Sequence, residues 1–294
     1  MLPSSGALGK GAKIRGSMPA RAERFPRRRA FVTGAGSGLG RALALHLARE
    51  GWTLGIQDVN ETAADETLRL AQAVGGRGGT FVYDVSRADA TEGAARAFLA
   101  ENGGVDLLFN NAGVAVGGAI EQVPLRDWEW IVGVNLWGPV HGCRAFLPAM
   151  LAERSGHLVN VASLAGLLFP PRMGPYNVTK SGVVALSETL RGELSGTGVG
   201  VSLVCPSFFP TNIARSSRAD APFRGMVQHL MDRGEMITDE VARVVLEAVA
   251  RGRFYILPQR DARFFWRMKR LAPRLTTSVA ESLYRVFRRR AQRG

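Results

Sequence analysis

The sequence predicts an α/β protein with one doubly wound, Rossmann-type domain, whose parallel sheet has about seven strands, and a basic helical extension at the carboxyl end. Two observations lead to this prediction. Short apolar segments alternate with longer amphipathic ones through most of the 294 residues, and the first apolar segment runs directly into a glycine-rich turn. A chain of this length can bury such a core within a single domain.

The strands are expected in seven apolar segments rich in β-branched and aromatic residues. These segments are residues 30–33, 53–57, 80–83, 105–109, 157–161, 201–205 and 253–257. Helical periodicity predicts helices over residues 41–50, 86–102, within 124–151, 175–194 and 239–250. The carboxyl ends of parallel strands meet at one edge of a sheet, and ligands bind at that edge in doubly wound proteins.

The glycine-rich turn at residues 34–40 predicts a dinucleotide site, because it follows a strand and opens a helix. Glycines let the backbone approach a pyrophosphate closely, and the amino end of the helix offers unpaired N–H groups to the phosphates. A flexible loop is the alternative, but a loop would not require these flanking elements. The cofactor-binding residues expected here are Gly34, Gly36, Ser37, Gly38, Leu39 and Gly40.

Asp58, at the end of the second predicted strand, predicts the choice of cofactor. A carboxylate here can bind a ribose 2′-hydroxyl, and it repels a 2′-phosphate by about 4 kcal/mol for unit charges ~4 Å apart at an effective dielectric constant of ~20. No Arg or Lys lies within the turn or directly after Asp58 to offset this repulsion. We therefore expect NAD rather than NADP. Asp58 could instead cap the helix before Glu61, although Asn60 can fill that role.

Tyr176 and Lys180 have the spacing of an acid/base pair. Positions i and i+4 share one face of a helix, and a positive charge near a phenol lowers its pKa from about 10. Ser163 lies thirteen residues before Tyr176, after an apolar segment. The alternative is a solvated tyrosine beside a lysine, since this spacing also arises by chance on exposed helices.

Together with three further motifs, these residues resemble the short-chain dehydrogenase/reductase family over most of residues 30–258. The further motifs are Asp84-Val85, Asn110-Asn111-Ala112-Gly113, and Pro206 with Thr211, each after a predicted strand. The resemblance implies that all of these except Asn111 contribute to the cofactor site, with Asp84 and Val85 at the adenine and Thr211 at the nicotinamide amide. One position departs from the pattern, since Ser207 replaces the family's glycine after Pro206.

The resemblance also implies a catalytic tetrad of Asn135, Ser163, Tyr176 and Lys180. Tyr176 would exchange a proton with the substrate oxygen, to which Ser163 would donate a hydrogen bond. Lys180 would lower the pKa of Tyr176 and, with Tyr176, contact the cofactor, while Asn135 would hold a water chain to solvent. The expected reaction is hydride transfer between a nicotinamide and a secondary alcohol or ketone.

Apolar residues flank the predicted site in residues 164–175 and 207–236, and we expect residues 208–236 to form a mobile lid. Walls of this kind suit a small lipophilic alcohol or carbonyl compound, unless these side chains pack between helices instead. Two functions without turnover stay open, a cofactor-sensing regulator and a membrane-surface adaptor. The resemblance further implies a homo-oligomer, either a dimer or a tetramer.

Basic charge is concentrated at the two ends, which divides the chain into three parts. Residues 1–29 hold eight Lys/Arg and one Glu, residues 260–294 hold eleven Lys/Arg and two acidic residues, and the whole chain has a net charge of +13. The predicted catalytic domain, residues 30–259, therefore has a net charge of −3. This charge argues against a nucleic-acid surface on that domain.

The two ends predict different properties. Residues 1–29 have no periodic apolar face and are expected to be disordered. They lack the apolar core of a secretory signal, while a transit peptide or a true start at Met18 stays open. Residues 260–294 mix aromatic and basic residues, as in helices that lie on a membrane surface or pack on protein. We expect a cytoplasmic protein, and both interpretations of the tail stay open: packing on the body or on a second subunit, which is favoured, and peripheral membrane association, which is the hypothesis to test. Two cysteines and four scattered histidines predict no metal site.

Overall fold

The computed structural model of the chain describes residues 24–214 and 216–291. Seven strands in these residues form one parallel sheet in the order β3-β2-β1-β4-β5-β6-β7. The strands are β1 (Arg29–Val32), β2 (Thr53–Asp58), β3 (Arg77–Val82), β4 (Leu107–Asn110), β5 (Gly156–Val161), β6 (Val199–Val204) and β7 (Tyr255–Ile256). The predicted α/β class and parallel seven-stranded sheet are confirmed.

Helices connect the strands and cover the sheet. They are α1 (Gly38–Ala48), α2 (Glu61–Ala73), α3 (Ala88–Asn102), α4 (Leu125–Val132), α5 (Gly138–Glu153), α6 (Ala165–Leu168), α7 (Gly174–Glu193), α8 (Ala221–Asp232), α9 (Thr238–Ala250), α10 (Arg260–Leu271) and α11 (Pro273–Ala291). A short 3₁₀ turn spans Ile120–Gln122. None of the helices that the structure describes is both long and apolar enough to cross a lipid bilayer.

The strand order creates a cleft at the centre of the sheet. The chain runs outward from β1 through β2 to β3, and then returns to place β4 on the other side of β1. Phe31 of β1 consequently pairs with Gly55 of β2 on one side and with Leu108 of β4 on the other. The connections after β1 and β4 leave in opposite directions, which opens a crevice at the carboxyl ends of these strands.

Side-chain alternation along the strands builds one apolar core on each face of the sheet. Ala30 and Val32 belong to a cluster with residues of α1 and α9. Phe31 points to the other face, where its ring centroid lies 5.3 Å from that of Phe98 on α3 and 4.8 Å from that of Phe146 on α5. Burial on both faces explains why the strands read as continuous apolar segments.

The folded body begins earlier than residue 30. Phe25 is buried, and the side chain of Arg29 is enclosed in the structure, where it pairs with Asp106 at 3.2 Å and with Glu153 at 2.8 Å. These carboxylates neutralise the charge of Arg29, which the sequence analysis counted as part of a disordered segment. The predicted boundary is therefore too late by at least six residues, and residues 1–23 of the predicted disordered segment lie outside the described residues.

Between β4 and β5, residues 125–153 form one helical run that contains a π-helical turn. Gly133–Trp137 form this turn between α4 and α5. Such turns displace side chains from the regular helical positions and are frequent at functional sites. Here the turn contains Asn135, a residue of the predicted tetrad, whose side chain is completely buried.

Candidate active site

The glycine-rich turn between β1 and α1 is tightly folded. Gly34 and Gly38 have φ angles of 62° and 52°, in the left-handed region where glycine is favoured. A Cβ atom built on Gly40 would lie only 2.2 Å from the carbonyl oxygen of Gly34. Ser37 precedes α1 in an extended conformation, and its side chain is exposed and makes no cap hydrogen bond. The amino end of α1, which includes buried Leu39, is therefore free to receive phosphate groups.

The Asp58 carboxylate lies directly against this turn. Its Oδ2 accepts a hydrogen bond from the Gly36 N–H at 2.8 Å, and its Oδ1 accepts one from the Asn60 N–H at 3.0 Å. Asn60, not Asp58, caps α2, because its side chain accepts from the Ala63 N–H at 3.0 Å. The carboxylate is thus held at the end of β2, where a ribose attached to the bound phosphates would lie.

Arg41 is a basic residue close to the turn that the sequence analysis did not weigh. Its guanidinium donates to the Gly36 carbonyl at 2.5 Å and to Glu66 at 2.6 Å, and its Nε donates to the Thr67 hydroxyl at 2.9 Å. These partners hold Arg41 in place and offset its charge. The negative charge of Asp58 is therefore not balanced by a free guanidinium at this point of the turn.

Asn111 joins the turn to the end of β4. Its Nδ2 donates to the carbonyl oxygens of Thr33 at 2.8 Å and Gly34 at 3.2 Å, while the Thr33 hydroxyl accepts from the N–H groups of Asn111 and Ala112. A Cβ on Gly34 would lie 2.7 Å from the Ala112 Cα. The predicted residues Ala112 and Gly113 are thereby brought against the cofactor turn, and Asn111, which was not predicted to bind the cofactor, holds them there.

The side chain of Asn110 is engaged within the fold. It is buried, and its Nδ2 donates to Asn160 Oδ1 at 2.8 Å and to the Cys143 sulfur at 3.4 Å. Asn110 follows Leu108 at a spacing of two along β4, so both side chains point towards α5. The Asn110 side chain therefore joins β4 to β5 and α5, and a cofactor contact at Asn110 stays a prediction.

Asp84 and Val85 follow β3, next to the strand that ends at Asp58. The Asp84 carboxylate is exposed and accepts a hydrogen bond from the Ser86 N–H at 2.9 Å. Val85 is buried, and its carbonyl oxygen lies 3.1 Å from His141 Nδ1. The pair therefore supplies one polar and one apolar group beside the predicted ribose position, as an adenine site requires.

Ser163 and Tyr176 meet at the carboxyl end of β5. The Ser163 hydroxyl accepts a hydrogen bond from the Ala165 N–H at 3.1 Å, which fixes it at the start of α6. Burial raises the pKa of Tyr176, and the hydrogen bond with Ser163 opposes this effect without cancelling it. The expected depression of this pKa is absent from the protein alone, because removal of the phenolate from water outweighs every favourable contact.

Lys180 lies deep in the site, one turn of α7 from Tyr176. Its ammonium donates to the Val161 carbonyl at 2.9 Å and lies 5.9 Å from the centroid of the Tyr176 ring. Burial lowers the pKa of Lys180 to about 8, and nearby Cys205 opposes this shift. A lysine with such a pKa exchanges its proton close to neutral pH, which a solvated lysine does not.

Asn135 connects the π-helical turn to the loop after β4. Its Oδ1 accepts from the Val114 N–H at 2.8 Å, and its Nδ2 donates to the Val114 carbonyl at 2.9 Å. A Cβ on Gly113 would lie 3.3 Å from Lys180 Nζ and 3.4 Å from Asn135 Oδ1. All four predicted tetrad residues are thus brought to one edge of the sheet, with Asn135 and Lys180 on either side of Gly113.

The segment after β6 closes the site opposite the glycine turn. The Pro206 carbonyl accepts from the Leu164 N–H at 2.9 Å, and a Cβ on Gly38 would lie 3.8 Å from the Thr211 side chain. Ser207 donates its N–H to Gln259 at 3.0 Å and its hydroxyl to Asp261 at 2.7 Å. The serine that replaces the family's glycine therefore attaches this segment to the start of the tail.

The predicted lid contains a small apolar cluster of its own. Phe223, Val227 and Met231 form a small buried cluster, against which Met173 and Phe208 are partly buried. Two ion pairs attach the lid to its surroundings. They are Arg218 with Asp127 at 2.8 Å and Arg172 with Asp220 at 2.5 Å. The lid is therefore attached to the loop after β5 both by apolar packing and by an ion pair.

No metal site is present in residues 24–214 and 216–291, since no three His, Cys, Asp or Glu side chains are placed to share an ion. His157 is buried, and it contacts Ser202 at 2.7 Å and Arg24 at 3.2 Å. Burial lowers the pKa of His157 to about 3. This histidine is therefore a neutral core residue.

Comparisons with known proteins agree with this geometry. The family model described as short chain dehydrogenase matches residues 28–222. SadH of Mycobacterium tuberculosis, a putative oxidoreductase, is 35% identical over 239 residues, which cover 80% of this chain and 87% of SadH. A short-chain dehydrogenase/reductase from Burkholderia phymatum, solved with NAD, is 39% identical with a TM-score of 0.81, and the match covers 86% of this chain and 96% of the other.

One further solved structure bears on the cofactor. A metagenomic short-chain oxidoreductase, solved in complex with NADP, is 28% identical with a TM-score of 0.65, and the match covers 79% of this chain and 98% of the other. The proteins to which this chain is similar therefore include one bound to each nicotinamide cofactor.

Proposed function

The chain belongs to the short-chain dehydrogenase/reductase family, and we propose that it transfers a hydride between NAD and a lipophilic secondary alcohol or ketone. The observation that supports this most strongly is the meeting of Ser163, Tyr176 and Lys180 at the end of β5, beside the glycine turn of β1. The bound cofactor supplies the hydride chemistry, and the protein orients it.

In the proposed mechanism, Tyr176 is the general acid and base. During oxidation its phenolate accepts the proton of the substrate hydroxyl, and during reduction the phenol returns a proton to the substrate oxygen. Ser163 donates a hydrogen bond to the same oxygen and stabilises the charge that develops on it. Because burial raises the pKa of Tyr176 in the protein alone, ionisation of the phenol requires a positive charge nearby.

Lys180 is the nearest such charge in the proposed arrangement. Its ammonium favours the phenolate, holds the nicotinamide ribose together with Tyr176, and with a pKa of about 8 can pass a proton onward. Asn135 keeps the loop after β4 in place through Val114 and is proposed to hold a water chain from Lys180 to solvent. Protons would thus reach Tyr176 without opening the apolar walls.

The preference for NAD rests on Asp58. Its carboxylate is fixed beside the turn by the Gly36 N–H, and the guanidinium of Arg41 is occupied by Glu66 and the Gly36 carbonyl. A 2′-phosphate would meet the carboxylate without a free cation to offset the repulsion. The remaining cofactor residues in this proposal are those predicted from the sequence, except the Asn110 side chain.

The lipophilic substrate is inferred from the walls of the cleft. The cluster of Phe223, Val227 and Met231 supplies apolar side chains from the lid, and Met173, which packs against this cluster, supplies one from the loop after β5. Apolar walls with a few convergent polar groups select a substrate that is mostly hydrocarbon around one oxygen. We place the protein in the cytoplasm as a homo-oligomer, with its tail at a membrane surface.

Tyr176→Phe is the decisive variant for the proposed mechanism. We expect turnover to fall by about 10²–10⁴-fold, because the proton donor and acceptor is lost, while NAD affinity changes little. The measurement is nicotinamide absorbance with NAD across secondary alcohols graded by size and lipophilicity, together with calorimetric NAD binding. Tyr284→Phe in the tail is a matched control. Retained turnover in Tyr176→Phe would refute the role of the phenol.

Two functions without turnover are the alternatives, a cofactor-sensing regulator and a membrane-surface adaptor. A regulator would bind NAD tightly and stay silent across the whole panel of alcohols. An adaptor that binds through the tail would lose its function in the variant Phe264→Ser/Phe265→Ser, which changes two exposed side chains, whereas the turnover of an enzyme in solution should survive. The assembled tetrad favours the enzyme, because neither alternative requires all four groups.

A further inference from the structure

Helices α10 and α11 expose an unusual number of large apolar side chains. We call these side chains the outer face of the tail. They are Phe264, Phe265, Leu271, Leu275 and Val279, with 48% to 84% of each accessible to solvent. Phe264 and Phe265 contact each other, with ring centroids 5.4 Å apart. Contiguous exposed apolar groups of this size indicate a binding surface.

Basic residues surround the outer face. Arg267, Arg270 and Arg274 are exposed beside it, and residues 260–294 hold eleven Lys/Arg against two acidic residues. This charge repels the same tail of a second copy and attracts an anionic surface. Nucleic acid is anionic but offers a helix no apolar layer for its phenylalanines. An anionic lipid surface offers both charge and an apolar layer, so it complements the tail best.

The opposite side of α10 is attached to the substrate side of the active site. Lys269 donates to the Leu168 carbonyl at 3.0 Å, and its ammonium lies 3.7 Å from the centroid of the Phe169 ring. At the start of the helix, Asp261 accepts the hydroxyl hydrogen bond of Ser207. Helix α10 therefore contacts both segments that follow the catalytic strand ends, residues 164–173 and 206–211.

Phe169 lies in the loop between Ser163 and Tyr176 and contacts the tail through Lys269. It has a φ angle of 59°, which non-glycine residues adopt infrequently, and its side chain is half exposed. Lys269 holds it in this conformation by lying over its ring. The part of this loop around Phe169 is thus kept next to the tail, whereas Leu164 at its start is buried in the core.

We propose that the outer face docks on an anionic lipid surface, and that α10 thereby places the substrate side of the cleft next to the lipid. The proposal rests on the proposed function in one respect, since a lipophilic substrate would be drawn from that surface. On docking, the phenylalanines insert below the lipid headgroups, and the arginines are attracted to the anionic headgroups. Movement of α10 on docking would be transmitted to residues 164–173 through Lys269.

Co-sedimentation of the full chain with lipid vesicles tests the docking. The vesicles contain phosphatidylcholine alone, or phosphatidylcholine with about a third phosphatidylserine. We expect binding to the anionic vesicles, weakened by salt, and at least about tenfold weaker partitioning for the double variant Phe264→Ser/Phe265→Ser. The matched control is Val74→Ser/Leu151→Ser, which removes two exposed apolar side chains from the opposite edge of the sheet and should bind as the native chain does.

Hydrogen exchange in the presence of the anionic vesicles tests the contact with the cleft. Amides of residues 164–173 should exchange more slowly when the native chain is docked, and Lys269→Met should lose this protection while still sedimenting. Equal sedimentation of the native chain and Phe264→Ser/Phe265→Ser would overturn the proposal. The proposal would also be overturned if the native chain formed a dimer that the variant dissociates, with no binding of the native chain to vesicles. Binding of the native chain to RNA and not to lipid would overturn it as well. None of these readouts needs turnover, so failure of the proposed chemistry would appear separately.

Discussion

The cleft has a cofactor half, formed by the glycine turn and the ends of β2 and β4, and a substrate half, formed by residues 164–173 and 206–211. The two halves are held together by different kinds of contact. In the cofactor half, main-chain groups and short side chains at neighbouring strand ends contact each other directly, as Gly34 does with Asn111 and Gly36 with Asp58. In the substrate half, long side chains join segments far apart in sequence, as Lys269 does with the Leu168 carbonyl. Strand pairing therefore fixes the first half, whereas individual side-chain contacts fix the second.

Lys180 lies between the two halves and should show the largest effect on stability. Its pKa falls from 10.5 to about 8 through burial, so at pH 7 the folded protein contains a costly buried charge. We expect Lys180→Met to raise the free energy of unfolding by up to about 3 kcal/mol at pH 7, less the lost hydrogen bond to Val161, and to abolish turnover.

The pH dependence distinguishes this cause from a general improvement in packing. Between pH 8 and 10.5 the unfolded native chain retains a proton on Lys180 that the folded chain has lost, so native stability rises with pH in this range. The advantage of Lys180→Met should therefore shrink across the same range. Urea unfolding of both proteins at pH 7 and pH 10 measures it, and an advantage that is the same at both values would contradict the assignment.

Gly40→Ala should disrupt the glycine turn of the cofactor half. Its Cβ would lie 2.2 Å from the Gly34 carbonyl oxygen, and main chain cannot move aside as a flexible side chain can. We expect a loss of about 1–3 kcal/mol in stability and a still larger relative loss of NAD affinity, measured by calorimetry. Gly192→Ala is the matched control, because it is also a helical glycine but has no atom within 4 Å of the added Cβ.

Asp58→Ser should change the cofactor preference with little effect on the fold. Removal of the carboxylate relieves repulsion of a 2′-phosphate and weakens the contact with a 2′-hydroxyl, so kcat/KM should fall with NAD and rise with NADP. A change of about 10–100-fold in their ratio corresponds to roughly 1.4–2.8 kcal/mol. Asp89→Ser, which removes an exposed carboxylate on α3, should leave the ratio unchanged. An unchanged ratio in Asp58→Ser would remove the basis for the NAD preference.

The sequence predicted the fold and the tetrad because their signals are local. A glycine turn between strand and helix, or Tyr176 and Lys180 on one helix face, needs no knowledge of distant residues. The position of the Asn110 side chain was also within reach of the sequence, since alternation along β4 places it on the side of Leu108, away from the turn. The cofactor contact expected at Asn110 rests on the resemblance to the family and stays a prediction.

Other features depend on contacts between distant parts of the chain. The four arginines within residues 24–29 read as part of a disordered basic segment, because the sequence does not show that Asp106 and Glu153 lie beside Arg29 in the fold. The attachment of α10 to the loop after Ser163 likewise requires Lys269 to meet a main-chain carbonyl 101 positions earlier. A carbonyl acceptor leaves no mark in the sequence, so no pattern could have predicted this contact.

The smallest expected effect tests whether the Ser207–Asp261 contact couples the tail to the substrate half. Ser207→Ala and Asp261→Ala should each cost about 1 kcal/mol or less, because the hydrogen bond is partly exposed. In a double-mutant cycle the two losses should not add, since either change alone breaks the same bond. The control cycle pairs Ser207→Ala with Glu247→Gln, which lies on α9 and should give additive losses. If the contact positions the substrate half, the changes in substrate KM should show the same non-additivity, while NAD affinity stays constant. Additive changes in both stability and substrate KM would mean that the tail and the substrate half are independent.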